Sequence, residues 1–80
     1  MTPEQLSKLK QLIQEKLDIP VEKISMESSF EDDFGIDSLD VYELIVEIEH
    51  EFNLSISDED AETLRSPQAF VSYIDKSLHN

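Results

Sequence analysis

Apolar residues return every three or four positions in three separate stretches of this chain, and that period commits it to helices that bury one face against each other. In the first stretch Leu6, Leu9, Leu12, Ile13 and Leu17 line one side. Before them, Thr2, Pro3, Glu4 and Gln5 place a hydroxyl at the N-cap, proline at N1 where its missing N–H costs nothing, and glutamine at N3 to close a capping box. Pro20 pushes Ile19 out of helical geometry, so a helix is expected over roughly Pro3 to Leu17. A second long helix is expected from about Ser38 to Phe52, where Val41, Ile45, Ile48 and Phe52 form a narrow stripe with Leu44 on its flank. The third opens at Ser66, Pro67 and Gln68, again a cap followed by proline, and Phe70, Val71, Ile74 and Leu78 make its stripe.

Between these stretches the period lapses. Residues 18–37 scatter Ile24, Met26, Phe30, Phe34 and Ile36 among acidic and small polar residues, which reads as a long ordered loop pinned by those five side chains. Gly35, the only glycine, supplies backbone freedom just before the Asp37-Ser38 helix start. Asn53 fits a left-handed cap after Phe52, and Asp58 to about Leu64 reads as a short acidic helix capped by Ser57 or Asp58. The expected fold is all-α: a four-helix bundle with three long helices and one short third helix, and a long ordered loop between helices one and two. One domain is expected over residues 1–80, with a core drawn mainly from Leu6, Leu9, Ile13, Leu44, Ile45, Ile48, Phe52, Phe70, Val71 and Ile74.

An 80-residue bundle buries only ~60% of the surface its unfolded chain exposes, which argues against deep clefts. Without cysteine there is no disulfide framework, thiolate zinc site or cysteine nucleophile. Six Lys and Arg against 19 Asp and Glu leave a formal charge of −13, and no basic residue falls between Lys23 and Arg65. Nucleic acid and anionic membrane are disfavoured as partners, because phosphate binding needs a basic stripe. The acidic run is then either a solvated face that keeps a small monomer apart or a docking surface for basic partners. A basic leader and a long apolar run are both absent from the sequence, so neither targeting nor membrane insertion is expected and the location expected is cytoplasmic.

Catalysis by the chain itself is not expected. A serine nucleophile needs a base within hydrogen-bond reach, yet the histidines are His50, about three turns along the helix from Ser38, and His79 near the end. Residues Gly35-Ile36-Asp37-Ser38-Leu39 lack the second glycine of a hydrolase nucleophile elbow, and one glycine cannot build a phosphate loop. Asp32, Asp33 and Asp37, or Asp58, Glu59, Asp60 and Glu62, offer loose, nonspecific divalent-ion binding at most, so no specific metal site is expected.

The second long helix carries more apolar surface than one buried face requires. Leu39, Tyr42 and Val46 lie off its core stripe, bordered by Glu43, Glu49 and His50. They belong either to a central helix packed on two neighbours or to an exposed contact patch with an acidic rim.

Ser38 taken alone reads as a helix cap. Its surroundings change that reading: Gly35-Ile36-Asp37-Ser38-Leu39-Asp40, then Glu43, Leu44 and the helix to Glu51 and Phe52, closely resemble the attachment site of acyl carrier proteins. The resemblance extends over nearly the whole chain, through Ile56, Asp58, Glu59, Ala61 and Glu62 in the short helix and the apolar last helix. It implies that Ser38 carries 4'-phosphopantetheine taken from coenzyme A, with Asp37 and Leu39 as the flanks a phosphopantetheinyl transferase reads. It also implies that Asp40, Glu43 and Glu49, with Tyr42 and Val46, meet basic docking patches on fatty acid synthesis enzymes, and that Ile56 and Ala61 line the side where the arm or chain lies. The chain would be a non-catalytic carrier of acyl thioesters in lipid biosynthesis, most like the discrete fatty-acid type. Carriers of polyketide, nonribosomal peptide or D-alanyl groups, and an unmodified acidic interaction module, are the rival readings. Phe34, Tyr42, Ser57 and His50 depart from the family's usual pattern, Tyr42 by being bulkier than the customary small aliphatic residue.

Overall fold

The capping box at Thr2 forms as its sequence requires: Gln5 N–H donates to Thr2 Oγ1 at 3.1 Å and Thr2 N–H to Gln5 Oε1 at 2.8 Å. In the computed structural model, which describes residues 1–78, helix α1 runs Pro3–Leu17 and closes on Asp18 in the left-handed conformation, φ 56. The others are α2, Phe30–Phe34; α3, Ser38–Phe52; α4, Asp58–Ala61; and α5, Pro67–Leu78, with a 3₁₀ turn at Val21–Lys23. There is no strand among the described residues. The chain is thus an all-α bundle in which α1, α3 and α5 are the long members.

Two boundaries differ from expectation. The loop over residues 18–37 is not free of helix, because Ser29 nucleates α2: its Oγ accepts from Asp32 N–H at 3.2 Å while its own N–H donates to Asp33 Oδ2 at 2.7 Å. Phe30 and Phe34, four apart, then share a face; Phe30 is buried and its ring tilts against Phe70 with centroids 5.9 Å apart. Gly35 ends α2 at φ 64, a left-handed position that suits glycine. Helix α4 is shorter than the span to Leu64: it ends at Ala61, and a turn carries Leu64 into the core at 2% exposure.

The core joins Leu9, Leu12, Ile13 and Leu17 of α1 to Leu44, Ile45 and Ile48 of α3 and Phe70 and Ile74 of α5, with Ile19, Phe30 and Leu64 from the connections. Leu6, Phe52 and Val71, expected inside, are only half-buried. Pairing is most extensive between α1 and α3, whose outer edges also carry the ion pairs Lys8–Glu51 at 3.2 Å and Lys16–Glu47 at 3.5 Å. The loop is tied to the far end of the bundle by Phe30 N–H donating to the Arg65 carbonyl and Gln68 N–H to the Met26 carbonyl. No buried polar side-chain atom lacks a hydrogen bond among the described residues.

Candidate functional site

Asp37, not Ser38, caps α3. Its carboxylate Oδ1 accepts from Leu39 N–H at 3.3 Å, and its carbonyl accepts from Asp40 N–H at 3.1 Å, so Ser38 becomes the first helical residue. Ser38 taken alone reads as a cap, but Asp37 holds that place, its side chain reaching the N2 amide of Leu39. Ser38 is exposed, and its hydroxyl donates a long, 3.4 Å bond to Asp37 Oδ1. Its own N–H has no partner among the described residues. An accessible hydroxyl on a rigid helix start, beside one free amide and with no histidine next to it among the described residues, is chemically suited to modification by an external enzyme. His50 lies twelve residues further along α3, about 18 Å along the axis.

A groove of about 440 Å³ opens beside Ser38 between α3, α4 and the turn after it. Its floor is apolar and buried: Phe30, Ile45 and Leu64 are each no more than 4% exposed. Ile36, Val41 and Ala61 line the walls, and Ser38, Tyr42 and Asp58 stand on the rim with Glu31, Glu62 and Arg65. The size falls in the ~300–1,000 Å³ range of small-ligand clefts. Ser38, Tyr42 and Ile45 follow at four- and three-residue spacing, so one side of α3 leads from the hydroxyl into the groove.

The second apolar stripe of α3 is exposed. Leu39, Tyr42 and Val46 are 72%, 52% and 48% accessible, so no neighbour among the described residues covers them. Of the acids around them, Asp40 and Glu43 are exposed, and their carboxylates have no hydrogen bond or ion pair among the described residues. Glu49 is half-buried, and its Oε2 accepts from Ile56 N–H at 2.9 Å, which fixes the chain after α3. Ile56 is half-buried beside the core and Ala61 faces the groove.

Tyr42 is also tied across the groove. Its hydroxyl donates to Asp58 Oδ1 at 3.2 Å, and the Asp58 charge, then that hydrogen bond, raise the phenol above its ordinary 10.0. Tyr73 of α5 makes the matching bond from the other side, to Asp60 Oδ2 at 3.0 Å, and is raised first by burial and then by that bond. Tyr42 stands out in the sequence for its bulk, but neither bond is legible there; the only signal is a tyrosine on α3 and another on α5, with acids clustered at the short helix between. The groove itself is not legible from periodicity, because two of its three floor residues, Phe30 and Leu64, lie outside the periodic stretches.

Among the described residues no three acidic or histidine side chains gather as a metal-ligand set, and no helix is long and apolar enough to cross a membrane. His79 lies outside the described residues.

The family model described as a phosphopantetheine attachment site matches residues 7–74. An acyl carrier protein of Bdellovibrio bacteriovorus is 48% identical over 69 residues, covering 86% of this chain and 88% of its own. One from Buchnera aphidicola subsp. Schizaphis graminum is 52% identical over 67 residues, covering 84% and 85%. The solved structure of an acyl carrier protein from Enterococcus faecalis superposes with a TM-score of 0.77 at 39% identity, covering 92% of this chain and 95% of that one.

Proposed function

This chain belongs to the acyl carrier protein family, non-catalytic carriers built around a phosphopantetheine arm, and from that membership we propose that Ser38 is the attachment point and that the cargo is the growing chain of fatty acid synthesis. The observation that carries the assignment of Ser38 is its freedom: Asp37 takes over the cap, leaving an exposed hydroxyl and a free amide at the start of α3. These features fit the arm. Ser38 Oγ forms the new bond to the β-phosphorus of coenzyme A, the pyrophosphate bond breaks, the adenosine 3',5'-bisphosphate leaves, and the hydroxyl proton passes to a base of the transferase. Asp37 and Leu39 flank the hydroxyl as recognition elements for that enzyme. When attached, the arm supplies a terminal thiol that holds acyl groups as thioesters. The amide of Ser38 and the helix dipole favour the phosphodiester by ~0.3–1 kcal/mol at an exposed site, against the opposing charges of Asp37 and Asp40.

The rest of the reading assigns each exposed face a task. Asp40 and Glu43 steer basic patches of the synthesis enzymes onto α3, with Glu49 at the edge, while Leu39, Tyr42 and Val46 supply the apolar centre of a small, releasable interface. The groove, with Ala61 in its wall and Ile56 close by, shelters part of the acyl chain between encounters. Residues 1–80 act as one carrier domain. The Asp-Ser-Leu motif followed by so acidic a helix favours fatty acid synthesis over the specialised pathways.

Intact mass after incubation with coenzyme A and a broad-specificity phosphopantetheinyl transferase tests the assignment. The expected result is a gain of one phosphopantetheine by the parent and none by Ser38→Ala; an equal gain in both would move the site elsewhere, and no gain by an arm-free parent would leave an acidic interaction module.

A further inference from the structure

Helix α4 has four residues, none of them buried, whereas an isolated helix needs ~12–15 to be even marginal. Its place in the bundle therefore depends on what holds it. Two phenol–carboxylate bonds do so from opposite sides: Tyr42 of α3 to Asp58, and Tyr73 of α5 to Asp60. They are not equivalent. Tyr73 is half-buried and does not line the groove, so it anchors α4 to the scaffold, whereas Tyr42 and Asp58 both stand on the groove's rim.

We propose that the Tyr42–Asp58 bond is a gate across the mouth of the groove, and that Tyr42 sets how readily a saturated acyl chain led from Ser38 passes inside. The inference rests on the carrier reading and deepens it. Ser38, Tyr42 and Ile45 share one side of α3, so along the helix Tyr42 stands between the serine and Ile45, which forms the apolar floor with Phe30 and Leu64. A chain that follows this side of α3 from Ser38 to Ile45 passes Tyr42, and with it the gap between α3 and α4 that the bond spans. Entry then costs the bond, and a saturated chain offers no hydrogen-bonding group in return. A ligand whose bound state breaks an internal contact is held outside by the strength of that contact, so removing it shifts the population inward. With a small aliphatic residue at this position there would be no such cost; the tyrosine makes entry conditional.

The test loads octanoyl-phosphopantetheine from octanoyl-coenzyme A with a broad-specificity transferase, confirms full loading by intact mass, and follows thioester cleavage by hydroxylamine. Tyr42→Phe keeps the ring and removes only the donor. It is expected to slow cleavage about two- to ten-fold, the worth of one such bond. Asp58→Ala is expected to do the same, and the double variant no more than either alone, because both act through one contact. A second readout needs no arm: in the unmodified chain Tyr42→Phe is expected to speed hydrogen exchange at the Asp60, Ala61 and Glu62 amides. Equal cleavage across fully loaded variants, additive effects, or unchanged α4 exchange would each overturn the gate while leaving the carrier reading intact. A parent that gains no mass overturns both.

Discussion

The α1–α3 half of this molecule and the α4 flank solve the same problem by different means. On the first side, two fifteen-residue helices bury Leu9, Leu12, Ile13 and Leu17 against Leu44, Ile45 and Ile48, and the surface ion pairs between them add little. On the other, a four-residue helix with nothing buried is held by the Ser57 cap, two tyrosine hydroxyls and the Leu64 side chain just beyond its end. Packing of the first kind is cooperative and hard to open locally. Hydrogen bonds at an exposed edge are worth little each and can be exchanged with water. The groove beside Ser38 sits on the seam between the two, with a floor from the rigid side and a rim from the weak one.

The contrast breaks most visibly in the core. Ile48, fully buried at the centre of α3, is expected to cost about 2–5 kcal/mol when replaced by alanine, a large share of the ~5–15 kcal/mol that domains have to lose. Urea unfolding followed by circular dichroism measures it; a loss below about 1 kcal/mol would mean that α3 is not the keystone. Ser57→Ala probes the weak side. Removing the hydroxyl that accepts from Asp60 N–H at 3.2 Å is expected to cost at most ~1 kcal/mol globally, with faster hydrogen exchange confined to α4. Uniform acceleration through α1 and α3 would show instead that the two sides unfold together.

The same contrast explains what the sequence could disclose. Helices α1, α3 and α5 are legible to the residue at most ends because periodic leucines and isoleucines, Thr2-Pro3, Ser66-Pro67 and the Asn53 cap all act within a few positions of each other. Ser38 was legible through its motif and length-wide context. Phe30 and Leu64 fall outside the core read from the sequence because each enters it from a non-periodic segment, and Phe30 is held there by the distant ring of Phe70. The Asp37 cap was half legible: the pair Asp37-Ser38 marks a helix start, but which of the two turns helical depends on the side chain that reaches the Leu39 amide. The tyrosine bonds, sixteen and thirteen residues apart in sequence, have no local signature at all.

Glu43→Lys separates folding from docking. The side chain is exposed and unpaired among the described residues, so stability is expected to stay within about 0.5 kcal/mol of the parent, while transfer to a partner enzyme slows at low salt. Unchanged partner kinetics at low ionic strength would count against an acidic docking face. A thermal melt of the same variant checks the stability half.

The smallest effect is set by pH and touches only the α4 flank. Both phenols are raised above their ordinary 10.0 in the folded chain, Tyr42 chiefly by the Asp58 charge and Tyr73 chiefly by burial. The folded state therefore binds these protons more tightly than the unfolded one, and stability falls with pH where they titrate. The contribution of the two bonds is complete below pH 10, is lost as pH rises through the folded values above it, and does not vary across neutral pH. A phenolate absorbance titration is expected to show both tyrosines ionising later than a free phenol, with α4 exchange rising in the same window. Tyr73→Phe should leave the Tyr42 transition in place and Tyr42→Phe that of Tyr73, because each hydroxyl donates to a different aspartate. If the two transitions moved together instead, α4 would be a single switch held jointly from both sides and not an anchored strap with one releasable edge.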